Sequence, residues 1–88
     1  MNSREVVFMV VYLYSIYDKV AREHGPIFAA NNDDVAVRMY RNFAAKEAQF
    51  ANVANDYELR LLGRFNLVSG IIEPMEIEKV GTDGETIS

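Results

Sequence analysis

The chain contains no cysteine, one histidine and two prolines among its 88 residues. Without cysteine there are no disulfides, no thiolate nucleophile and no cysteine-based zinc site. With His24 as the lone imidazole, a metal centre would have to be assembled almost wholly from carboxylates. A long apolar stretch is missing as well. The run from Val6 to Leu13 is eight residues, against roughly 20 for a membrane span. It does not read as a signal peptide, because Arg4 is followed at once by Glu5 and no small-residue cleavage site comes after it. A soluble protein in a reducing cytoplasm, without membrane contact, is the expectation.

Half of the residues are apolar, which suits a folded chain. The length leaves room for one core and one domain, expected over residues 1–80 with a flexible acidic tail at 81–88. A core this small leaves a thin stability margin, for which self-association is a common remedy. The net charge of −4 is unevenly placed. Residues 1–72 hold eight basic and eight acidic side chains. The last sixteen hold Glu73, Glu76, Glu78, Asp83 and Glu85 against Lys79, which accounts for the whole −4. A neutral body neither recommends nor forbids nucleic-acid binding.

Val6 to Tyr17 is β-branched and aromatic, apolar on both alternating faces up to Leu13, and reads as the core strand. Gly25-Pro26 marks a turn, and Ile27-Phe28 is enough for a short edge strand. Asn31 to Asp34 offers four helix N-cap residues in a row. From Asp34 to about Phe50 the spacing is helical, with Val35, Ala36, Met39, Phe43 and Phe50 within an arc of about 100° bordered by Tyr40. Arg38, Arg41, Asn42 and Gln49 take the opposite face. Ala51 to Asp56 reads as a loop. Tyr57 to Phe65 then alternates as a strand, with Leu62 interrupting its polar side and Gly63 marking a bulge. Asn66 to Gly70 is a hairpin turn, and Ile71 to Ile77 returns, with Pro74 pushing it towards the sheet edge. This order, β-(β)-α-β-β, predicts an α+β fold. A small antiparallel or mixed sheet of three to four strands would carry one helix on one face.

Few side chains suggest chemistry. His24 and Glu23 are neighbours in a segment read as a loop, where adjacent residues rarely face each other, so an exposed histidine is the simpler reading. Helix capping accounts for Asp33-Asp34 without a metal, and the scattered glycines form no phosphate loop. No cofactor is implied, and an enzyme is not expected. The arginines offer more. Arg38 and Arg41 share the outward helix face, and Arg60 and Arg64 share one face of a strand. With Tyr14 or Tyr17 as a stacking platform, such a face would suit single-stranded nucleic acid. The plainer account is that these arginines solvate the surface.

Taken in order, several segments resemble the small nonstructural protein of gokushovirus-type microviruses, single-stranded DNA phages of bacteria. They are Tyr14 to Lys19, Gly25 to Phe28, and Asn32 to Ala36 leading into Arg38, then Asp56 to Leu59, Leu62 to Asn66 and Gly70 to Ile77. The similarity spans roughly residues 12–80. The lead before Tyr12 is longer than in that family, and the acidic tail has no counterpart there. The resemblance implies a nonstructural role in single-stranded viral DNA synthesis or packaging, in the cytoplasm of the infected host. That role would be exercised by binding DNA or a viral or host replication protein. The alternative is a dimeric protein–protein interaction module that binds a host or viral factor without contacting nucleic acid. A homo-oligomer, a dimer, is expected across the sheet face left uncovered by the helix, through Val7, Val11 and Leu62.

Overall fold

The computed structural model describes residues 9–47 and 56–82. Val7, Phe50, Gln49, the Ala51–Asn55 part of the loop and the tail from Asp83 lie outside them. In chain order the elements are β1 (Val10–Asp18), β2 (Glu23–His24), β3 (Phe28–Ala30), α1 (Asp33–Glu47), β4 (Tyr57–Asn66) and β5 (Ile72–Val80). All pairings among them are antiparallel. The expected α+β architecture is the one formed, with one helix against a single sheet among the described residues.

β1 is flanked on both edges, as its β-branched and aromatic sequence suits. Along one edge it pairs with β4, and β5 lies beyond β4. Along its other edge β2 and β3 return as one interrupted strand, so the segment read as a loop is partly sheet. The interruption is chemical. Pro26 has no N–H to give a ladder. Around it the Gly25 amide donates to the Ile16 carbonyl (2.9 Å), and the buried Ser15 hydroxyl donates to the Gly25 carbonyl (2.8 Å). The preceding turn is held by Asp18, whose Oδ1 accepts the amides of Val20 and Ala21 at 3.0 Å each.

α1 starts at the expected cap: Asn32 Oδ1 accepts the Val35 amide (2.9 Å). Its buried face overlaps the expected one, with Val35 packed against the core, but is displaced towards Val37 and Tyr40. Ala36, Val37 and Tyr40 are buried, whereas Met39 is 41% exposed. Met39 is the described member of the expected arc that the helix leaves outside. Ala36 and the partly buried Ala44 let it approach the sheet closely, and the Tyr40 hydroxyl reaches the Tyr57 carbonyl (3.3 Å). On the sheet side the core is Tyr14, Ala30, Leu59, Leu61 and Val80. Tyr14 is wholly buried, stacked near Phe28 with ring centroids 5.8 Å apart. Its hydroxyl donates to Asp33 Oδ1 (2.7 Å), tying the strand to the first helical turn. Burial, together with the Asp33 carboxylate, holds this phenol above its ordinary pKa.

The β4–β5 hairpin forms where expected. Asn66 Oδ1 accepts the amides of Val68 (2.9 Å) and Ser69 (3.0 Å), and Gly70 takes φ 78°. The ladder is irregular at Leu62: Leu61 faces Tyr14 on β1, but Gly63 faces Leu13. Leu62 is thus an extra residue, and every side chain after it changes face. Gly63 permits a close crossing there, since a Cβ on it would lie 2.5 Å from the Glu73 carbonyl oxygen. Among the described residues β5 is an outer edge, exposed at every position before Val80.

Candidate functional site

Register decides what shares a surface. Tyr12, Tyr14 and Ile16 of β1 point to the helix side, where they join the core. Val11, Leu13, Ser15 and Tyr17 therefore point to the other side, which no described element covers. Their pairing partners follow them there: Phe65 faces Val11, Gly63 faces Leu13, Arg60 faces Ser15, and Glu58 faces Tyr17. From β5, Ile72 lies opposite Phe65. Met9 and Leu67 extend the row, where the Leu67 amide donates to the Met9 carbonyl (2.7 Å).

This open face has two halves of different chemistry. Towards the β4–β5 turn it is apolar, with Met9, Val11, Leu13, Phe65, Leu67 and Ile72. Leu67 and Ile72 are 52% and 61% exposed. Towards the other end stands a polar cluster around Arg60. The guanidinium carbon sits 3.6 Å from the Tyr17 ring centroid. Its Nε donates to Glu58 Oε2 (2.7 Å), and Nη1 lies 3.3 Å from His24 Nε2. An arginine only donates, so His24 must offer its Nε2 lone pair in that contact. The His24 and Tyr17 rings are 4.7 Å apart.

The residues singled out from sequence fall in different places. Tyr17 and Arg60 are brought together on the open face. Tyr14 is not available for stacking, because it is fully buried beneath α1. Arg64 does not share a face with Arg60: the extra residue at Leu62 sets it opposite Tyr12 on the helix side, where it pairs with Glu73. Arg38 is exposed as expected. Arg41 is only half-exposed, one helical turn from the buried Val37, and its Nη2 is buried without a hydrogen-bond partner. Of the interface residues, Val11 lies on the open face, half-buried, and Leu62 is the half-buried extra residue of the bulge. Sequence reasoning missed Glu58 and His24 as partners of Arg60, and Leu13, Phe65 and Ile72 as companions of Val11. The alternation of Glu58 with Arg60 was legible. The approach of His24 was not, because it depends on β2 pairing with β1.

Among the described residues these features define a small α+β protein with one helix, one sheet face covered and the other open and chemically divided. The chain belongs to the phage ORF5 protein family, whose model matches residues 11–85. It is thus a bacteriophage protein of accessory type, and every described element lies within or at the edge of the matched span. No curated protein and no solved structure matches it. Among the described residues no helix is long and apolar enough to cross a membrane.

Proposed function

We propose that this protein is a non-enzymatic accessory factor of a gokushovirus-type microvirus that works in the host cytoplasm through protein contact. Two copies pair through the apolar half of the open face, and the pair engages a viral or host replication protein. The observation that carries this reading is the continuity of that half. Three adjacent strands contribute Val11, Leu13, Phe65 and Ile72 in matched register, and an exposed apolar patch of this kind is characteristic of association surfaces. The strand edge is a poorer candidate. β5 carries Pro74, Glu73, Glu76, Glu78 and an irregular register, the devices that discourage edge-to-edge pairing.

Light scattering on a sizing column tests the pairing. The full chain should elute with twice its monomer mass at high micromolar concentration. A Leu67→Glu, Ile72→Glu variant should elute as a monomer with an unchanged circular-dichroism spectrum. A wild-type chain that stays monomeric rejects the reading.

Single-stranded DNA is the second reading, favoured by the Arg60–Tyr17 stack on the same face. A guanidinium on an aromatic ring is a unit that suits bases and phosphates. Glu58 neutralises much of that charge, however, and Arg64 stands on the other side of the sheet. An oligonucleotide titration at low salt should show binding that Arg60→Ala abolishes. No binding at high micromolar protein rejects this second reading.

A further inference from the structure

A cleft of about 410 Å³ lies between α1, the end of β1 and the β2–β3 break, and His24, which also meets Arg60 of the open face, lies at its rim. Its size falls within the ~300–1,000 Å³ range of ligand sites. The walls are aromatic and aliphatic, from Phe28, Phe43, Tyr57 and Ile16, and Asp18 and Glu23 stand in its lining. Phe43 meets Tyr57 edge-on, with centroids 5.2 Å apart, so two ring surfaces are already fixed at an angle. Asp18 and Glu23 are direct partners across the β1–β2 pairing. Two like charges opposite one another disfavour the pairing unless a cation joins them.

The surroundings add to that negative charge. The Tyr57 phenol is held above its ordinary pKa by burial and by the carboxylates of Asp18, Glu47 and Asp56. Among the described residues the ion pairs are Arg60–Glu58 and Arg64–Glu73, both elsewhere. Lys19, Arg22 and Lys46 stand on neighbouring turns, and none lies within ion-pair distance of these carboxylates.

We infer that this cleft is a binding site for an arginine side chain of a partner polypeptide, with an apolar neighbour of that arginine on the exposed Ile27. A guanidinium fits both features better than a lysine ammonium, which has no flat face and no paired donors. Its flat face stacks on aromatic rings, and its edge donates paired hydrogen bonds to carboxylates. A nucleic-acid phosphate would meet two carboxylates and is disfavoured by the same chemistry. The site is on the other side of the sheet from the proposed self-association face, so either can fail without the other.

The test is a titration of the full ¹⁵N-labelled chain with a short, acetylated and amidated arginine–leucine peptide. Amide shifts should concentrate at Ile16, Asp18, Glu23 to Phe28, Phe43 and Tyr57. The same peptide with glutamate for arginine should cause none. Glu23→Gln, whose carboxylate makes no hydrogen bond within the fold, should weaken binding roughly three- to tenfold. Asp18→Asn, which retains an oxygen to accept the turn amides, should do the same. Absence of shifts at millimolar peptide, shifts elsewhere on the chain, or unchanged affinity in both variants would overturn the inference.

Discussion

At the scale of single residues, Tyr14 shows how one polar atom can hold a small core. Its ring fills the space beneath α1, and its hydroxyl leaves the core only to reach Asp33 at the helix start. Tyr14→Phe keeps the ring and removes the bond. Asp33 is exposed, so water replaces the lost donor, and the expected loss is about 1 kcal/mol. The phenol also makes stability depend on pH. Its folded pKa is raised above the ordinary 10.0, so the neutral form is favoured by folding. That contribution is present in full below the unfolded pKa and is lost as pH rises beyond it. Urea midpoints measured from neutral to alkaline pH should therefore fall once the pH passes about 10, and fall less steeply in Tyr14→Phe. Equal slopes for the two proteins would refute the assignment. The aromatic identity of Tyr14 was plain in the sequence, and its depth was not. Parity would still have separated it from Tyr17, because residues three apart in a strand point to opposite faces.

Among elements, the β4–β5 hairpin carries the sharpest constraint. At Gly63 the two strands cross so closely that a methyl group would also lie 3.2 Å from the Cα of Pro74. Both obstacles are backbone, which cannot rotate away. Gly63→Ala should therefore destabilise the protein by roughly 1–3 kcal/mol, as overpacking does. In a domain of this size that lowers the melting temperature by about 4–8 °C per kcal/mol, and calorimetry would read it directly. An unchanged melting temperature would mean that the bulge is soft. The elements whose cause is local were legible in sequence: the Asn32 cap, the Asn66–Gly70 turn, and Pro74 on an outer strand. Those with a distant cause were not. The buried helix face took in Val37 and left out Met39, a choice set by the sheet it packs on, which sequence periodicity does not represent. Arg64 changed face because Leu62 is skipped by the ladder. Gly63 hinted at a bulge, but its effect on facing needs the partner's register. β2 was read as loop because Glu23-His24 has no apolar pattern, and only its pairing with Tyr17 and Asp18 makes it strand.

For the whole molecule, charge and apolar surface pull the two functional readings apart. Each copy carries a net charge of −4, so two copies repel one another at low ionic strength. Salt screens that repulsion within about 10 Å at 0.1 M, while apolar burial is not weakened by it and is strengthened by sulfate. Self-association through Val11, Leu13, Phe65 and Ile72 should therefore tighten as salt rises. DNA binding through Arg60 should do the reverse, because each phosphate contact releases counterions and affinity falls steeply with salt. Sedimentation at low and high sodium sulfate, with and without a single-stranded oligonucleotide, measures both trends in one series. A dimer that grows with sulfate supports the open face as the working surface, since its apolar half would be the part that binds. A dimer that dissociates with salt would place the contact at charged groups, which the apolar half lacks, and would move the interface to the Arg60 end or to the acidic β5. The sign of the salt response thus assigns the association to one half of a face that the Leu62 bulge and strand parity divide.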